Sequence, residues 1–144
     1  MFSWFKKQTI RTIGFEDILY ALKYPHNYVI INTLPTDMQN CLINGTLRYD
    51  IEEKTINEYL NLSSTKYPIV ILYGKNATDA SVNNKEQQLT ELGFKDIYIY
   101  NGGMFEWMLL QETYGTNEFP TTTNTLDLLK YKPTGIFQVH RIEN

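Results

Sequence analysis

The chain has 144 residues, of which 42% are hydrophobic and 20% charged, with 11 Tyr, 7 Phe and 2 Trp; that is enough bulk for one packed domain, and it excludes a disordered or fibrous chain. A net charge of −3 with both signs scattered offers no basic block for nucleic acid and no acidic tail. No apolar run approaches the roughly 20 residues that cross a bilayer, and a single cysteine rules out an internal disulfide and fits an intracellular, cytoplasmic setting.

The first residues, with Phe2, Trp4 and Phe5 beside Lys6 and Lys7, are too short and too aromatic for a signal peptide, and residues 1–9 read as an arm packed on the domain. Ile10 to Ile13 alternate as a short edge strand. Over 15–23, Phe15, Ile18, Leu19 and Leu22 fall at helical spacing, and Pro25 ends that helix. Residues 28–32 form a continuous apolar run, as a buried parallel strand requires. A loop follows over 35–40, then a short extended piece over 42–47 containing the turn glycine Gly45. Asp50 is placed to cap a helix over 51–62, with Glu52 and Glu53 in the first turn where the helix dipole favours negative charge.

Residues 69–73 are the clearest central strand. A helix runs from just after Asp79 to Leu92 and stops at Gly93. Residues 96–100 make another strand, and 103–114 a helix with Phe105, Trp107, Leu109 and Leu110 turned to the core. Past Pro120 the pattern weakens: a Thr-rich loop, one or two helical turns over 126–130, then a tail with Ile136 and Phe137. Strands alternating with helices imply an α/β domain of three layers, α/β/α, around a mainly parallel central sheet.

Two segments carry a family resemblance. One is the strand Pro68-Ile-Val-Ile-Leu-Tyr73 running into Gly74-Lys-Asn-Ala-Thr-Asp79; the other is Gly93-Phe94 followed by Gly102-Gly103-x-x-x-Trp107. Together they resemble the rhodanese-like domain, over 10–122, with 123–144 as a C-terminal extension. The resemblance implies that Phe94 plugs the space beneath the next strand and that Gly102 and Gly103 permit a tight strand-to-helix turn. Other parts match less well. The family's Gly-His-Ile-Pro-Gly-Ala stands here as Cys41-Leu-Ile-Asn-Gly-Thr46, and its Asp-x-Arg after the second strand stands as Asn32-Thr33-Leu34, which removes a charge network near the site.

In active relatives, the resemblance implies, a cysteine opens the strand-to-helix loop and the following backbone N–H groups converge on its sulfur, lowering the thiol pKa and binding the transferred anion. Here the six loop positions are Gly74, Lys75, Asn76, Ala77, Thr78 and Asp79. Glycine carries no nucleophile, and a carboxylate stands where an arginine is common. Asp79 also sits at a helix N-cap position, where its oxygens can accept from the N–H groups of Ser81 or Val82. The expectation is a vestigial loop whose anion cradle is filled by Asp79.

The remaining chemistry-bearing residues point to no second site. Cys41, the only thiol, reads as a small buried apolar residue; the sharper alternative makes it a displaced nucleophile. His26 reads as a surface turn and His140 as part of the tail, and neither has a second ligand at metal spacing. Lys75, with Asn76 and Thr78, could meet a phosphate, but loop residues of these types more often face water. The sequons at Asn44, Asn61 and Asn76 matter only in a secreted chain.

The sequence therefore points to a non-catalytic rhodanese-like domain serving as a protein-interaction, scaffold or regulatory module, with no metal or cofactor and with another protein or a self-assembly as partner. The alternatives are a sulfurtransferase using Cys41 or a partner's thiol, and a sensor admitting a small neutral ligand at Gly74. Heavy use of Asn, Ile, Lys and Tyr suggests a protist or a large DNA virus as source.

Overall fold

A computed structural model describes residues 10–62 and 67–137. Four strands form one parallel sheet: β1 (Thr12–Ile13), β2 (Tyr28–Asn32), β3 (Ile69–Tyr73) and β4 (Ile97–Tyr100), in the order β1-β4-β3-β2. The register aligns Val29 with Val70, Val70 with Ile97, and Thr12 with Ile99. Four helices cover it: α1 (Phe15–Leu22), α2 (Glu52–Leu60), α3 (Ser81–Leu92) and α4 (Gly103–Tyr114).

Alternation along the strands divides the core into two layers. Ile30, Ile71, Tyr73 and Tyr100 face α1 and α4, where they meet Ile18, Ala21, Met104, Trp107 and Met108. Val29, Ile31, Val70, Leu72, Ile97 and Ile99 face the other way and meet Ile56, Val82, Leu89 and Phe94. Each fully buried side chain of this size stabilises the fold by about 1.5–3 kcal/mol relative to exposure. β3 and β4 are apolar on both faces because helices lie on both sides of them.

The helix boundaries follow from local chemistry. Gly93 ends α3 with φ +111°, a left-handed conformation that costs a Cβ-bearing residue energy, and Phe94 then folds under the sheet, fully buried against Tyr67. Two expectations need correction. Asp50 does not cap α2: it lies in a single 3-10 turn (Tyr49–Ile51), and its carboxylate pairs with Arg48 through contacts of 3.0 and 2.6 Å. Leu109 is not a core residue of α4: Met104, Trp107 and Met108 occupy the inward face, and Leu109 is 43% exposed.

Past α4 the chain folds back onto the domain. Phe119 packs edge-on against Trp107, whose indole N–H donates to the Pro120 carbonyl (3.2 Å). A 3-10 turn (Leu128–Tyr131) then drives Tyr131 fully into the α1/α4 core layer, while Ile136 and Phe137 stay 70% and 85% exposed. The aromatic arm at Phe2, Trp4 and Phe5, and His140, lie outside the described residues. No described helix is long and apolar enough to cross a membrane.

Candidate functional site

β3 delivers the chain to the carboxyl edge of the sheet at Gly74, and α3 begins seven residues later. Between them the loop is shaped by α4. The N–H groups of Met104 and Phe105, free of helical partners at the start of α4, donate to the carbonyls of Gly74 (2.9 Å) and Lys75 (2.8 Å). With these carbonyls drawn outward, the Lys75 amide is left to bond across the loop. The approach is close enough to explain Gly103. A Cβ there would lie 2.7 Å from the Gly74 carbonyl oxygen and 3.0 Å from the Asn76 nitrogen, and its φ of +65° already favours glycine.

The Asp79 carboxylate occupies the inside of the loop. Its Oδ2 accepts from the Lys75 N–H (2.8 Å), and its Oδ1 accepts from the Ser81 N–H (3.0 Å) and the Ser81 hydroxyl (2.7 Å). Burial alone would raise this carboxyl; the Lys75 amide and the Ser81 hydroxyl and amide outweigh it and hold the group below the ordinary carboxylate value. Ser81 Oγ also lies 2.8 Å from Thr33 Oγ1, which ties the loop to the end of β2.

Gly74 and Asp79 are sterically linked. A Cβ at position 74 would lie 2.4 Å from Asp79 Oδ2 and 2.7 Å from Val82 Cγ2. Gly74 is not at positive φ, so backbone strain does not require glycine there. The carboxylate stands where the base of a side chain at 74 would be.

Asn76 organises the other half of the loop. Its Oδ1 accepts from the N–H (2.9 Å) and hydroxyl (2.7 Å) of Thr78, and its Nδ2 donates to the Tyr131 carbonyl (2.8 Å). Ala77 and Thr78 are exposed, Lys75 half-buried. Where the family pattern has a charged pair after the second strand, Asn32 and Gln39 exchange side-chain amide bonds of 3.1 and 2.7 Å, and Asn32 also accepts from the Leu34 N–H (3.0 Å).

Cys41 is elsewhere. It is fully buried in the α1/α4 core layer, and its thiol donates to the Thr123 carbonyl (3.4 Å). Two tyrosines share that neighbourhood. Burial pushes Tyr73 well above the ordinary phenol value even though its hydroxyl takes part in two hydrogen bonds, to Thr46 Oγ1 (2.8 Å) and from the Ile43 N–H (3.1 Å). Burial and the adjacent Cys41 raise Tyr131 as well. His26 is exposed, and no cluster of metal-binding side chains occurs among the described residues.

Sequence reasoning placed Gly74, Asp79 and the Ser81 N–H that donates to Asp79, but missed the Ser81 hydroxyl, Thr33 and Tyr131. The Ser81 hydroxyl could have been found, because a serine two residues after a capping carboxylate can also turn its side chain to it. Tyr131 could not, since nothing in a Thr-rich loop followed by a weak helical pattern signals a return to the core.

A parallel three-layer fold with a strand–loop–helix cradle at its carboxyl edge defines an α/β domain of the rhodanese type. The family model of the rhodanese-like domain matches residues 36–110, and the chain belongs to that family. No curated protein matches. Among solved structures, a full-length protein from Lactobacillus plantarum is similar at 17% identity and a TM-score of 0.56, over 78% of this chain and 88% of that one. The rhodanese-like domain of an Anabaena sp. protein is similar at 16% identity and 0.56, over 88% and 87%. A yeast protein tyrosine phosphatase of the rhodanese family is similar at 10% and 0.57, over 85% and 99%. At these identities the likeness is one of fold.

Proposed function

We propose that this chain is a rhodanese-like domain without catalysis at its 74–79 loop, working as a protein-interaction, scaffold or regulatory module. The observation that carries this reading is the position of the Asp79 carboxylate. It takes the Lys75 and Ser81 N–H groups, and it fills the space a nucleophilic side chain at 74 would need. An incoming thiosulfate or phosphate meets a fixed negative charge in place of converging donors. No covalent intermediate can start from Gly74. The single thiol, Cys41, is buried, which fits a reducing intracellular setting.

The test is sulfur transfer by the full chain and by Cys41→Ala. Each is incubated with thiosulfate and cyanide, and separately with a persulfide donor, and thiocyanate and intact mass are read. The expected result is no thiocyanate above the uncatalysed background. Turnover in the wild type that vanishes in Cys41→Ala would establish the sulfurtransferase alternative, and turnover surviving in Cys41→Ala would refute the non-catalytic reading outright. The interaction role is tested by light scattering for self-assembly and by affinity capture with and without residues 1–9.

A further inference from the structure

The chain after α4 is held in two places with a loose span between them. The first anchor is dense. The Thr122 N–H donates to the Leu42 carbonyl (2.9 Å), the Asn44 N–H to the Pro120 carbonyl (3.0 Å), the Gln111 side-chain amide to the Phe119 carbonyl (2.7 Å), and the Thr123 hydroxyl to the Asn40 carbonyl (2.8 Å). Over 124–130 the chain runs largely exposed, with Leu126 fully exposed and Leu129 58% exposed, while Leu128 packs against the core beside the second anchor. The second anchor is Tyr131. Its ring is fully buried beside Cys41, and its carbonyl accepts from Asn76 Nδ2 (2.8 Å).

That second anchor is imperfect. The Tyr131 hydroxyl is buried and makes no hydrogen bond of ordinary geometry among the described residues, although the Cys41 thiol lies close enough to act on it. An orphaned buried hydroxyl is penalised against the open state, where water satisfies it. Tyr73, in the same core layer, shows the contrast, because its hydroxyl is bonded to Thr46 and Ile43. Lifting Tyr131 out would leave the anchor at 119–123 intact, open the side of Cys41 that Tyr131 covers, and require release of the Asn76 contact. Asn76 also holds Thr78 in the 74–79 loop.

We propose that residues 124–131 form a strap, latched to the 74–79 loop through Asn76, that seals the chain's only thiol and releases it by local opening. Anything that rearranges the loop around Asn76 then changes the reactivity of Cys41. The loop and the thiol become two coupled sites, whether or not either performs chemistry.

The experiment is the rate of alkylation of Cys41 by N-ethylmaleimide in the folded full chain, the thiol adding across the maleimide double bond, followed by intact mass over a series of sub-denaturing urea concentrations. Opening of the strap exposes little surface, so the wild-type rate should depend on urea far less than global unfolding does. Tyr131→Phe deletes the orphaned hydroxyl and should slow labelling about fivefold or more. Asn76→Asp keeps the acceptor for Thr78, removes the donor to the Tyr131 carbonyl, and should speed labelling about tenfold. Tyr131→Ala should speed it further, by about a hundredfold. Labelling that follows the full urea dependence of unfolding in the wild type overturns the proposal. So does a Tyr131→Phe variant that labels as fast as the wild type or faster.

Discussion

The steric link between Gly74 and Asp79 makes a quantitative prediction. Gly74→Ala adds one methyl group at a residue whose backbone any amino acid can adopt, and such a change ordinarily stabilises by about 0.4–1 kcal/mol through the unfolded chain. Here the new Cβ meets Asp79 Oδ2 at 2.4 Å, and ordinary contact begins at 3.4 Å. The carboxylate must retreat by the difference between these distances, about 1 Å, which breaks its 2.8 Å bond from the Lys75 N–H. Losing a hydrogen bond to a charged group costs about 1.5–3 kcal/mol, and crowding against Val82 adds about 1 kcal/mol. The net expectation is a loss of about 2–3 kcal/mol.

A double-mutant cycle isolates the cause. Asp79→Ala alone loses the cap on Ser81 and orphans the Lys75 amide, at a cost of about 2–3 kcal/mol. In that background Gly74→Ala enters vacated space and should cost under about 1 kcal/mol, so the pair couples by roughly 2 kcal/mol. Asp79→Asn, which keeps the volume and removes the charge, should not relieve Gly74→Ala, because the clash is steric. Urea denaturation of the four proteins, followed by far-UV circular dichroism, measures the cycle. Additivity within about 0.5 kcal/mol would refute the steric account, as would full relief by Asp79→Asn.

Acid titration should single out Asp79. Its folded pKa lies below the 3.8 of the unfolded group, so its contribution is complete above pH 3.8 and is lost as pH falls through the lower folded value; Asp79→Asn should flatten that part of the stability–pH curve. Gly93→Ala meets nothing within 4 Å and should lose about 1 kcal/mol from its φ alone, whereas Gly103→Ala adds a collision with the Gly74 carbonyl and should lose clearly more in the same urea assay. Tyr73→Phe orphans the buried Ile43 N–H and should destabilise by about 1–3 kcal/mol. Equal unfolding midpoints for Tyr73→Phe and the wild type would show that water replaces that bond.

Most of the fold was legible because it rests on local pattern. The apolar runs of β2 and β3, the period of α1, the glycine stop after α3 and the Gly102-Gly103 turn each carry their own signal, and the strand and helix positions follow from them. Misreadings arose where two local solutions compete. Asp50 could cap α2 or pair with Arg48, and the ion pair two residues away won, leaving Ile51 at the cap position. In α4 the choice between Leu109 and Met108 turns on the angle at which the helix meets the sheet, and composition does not fix that angle. The return of Tyr131 to the core depends on a hole between α1, α4 and residues 41–43 that exists only once those elements have packed.

The site shows why residue identity and residue geometry must be read together. In the sequence, Gly74 and Asp79 are separate departures from the family pattern, one a lost nucleophile and the other a reversed charge. In the fold they are one arrangement. The carboxylate takes the Lys75 N–H with the oxygen that a Cβ at 74 would meet, so a side chain at 74 can enter only if that oxygen gives way. Restoring a thiol at 74 alone would therefore force the carboxylate off the Lys75 N–H and set a negative charge against the thiolate. Replacing Asp79 alone would free donors with nothing for them to activate. Gly74→Cys with Asp79→Arg supplies both requirements, so sulfur-transfer activity should emerge in the pair and stay near background in each single variant. Activity in Gly74→Cys equal to that of the pair would mean that the carboxylate moves aside freely, and the mutual exclusion argued from the 2.4 Å contact would fail.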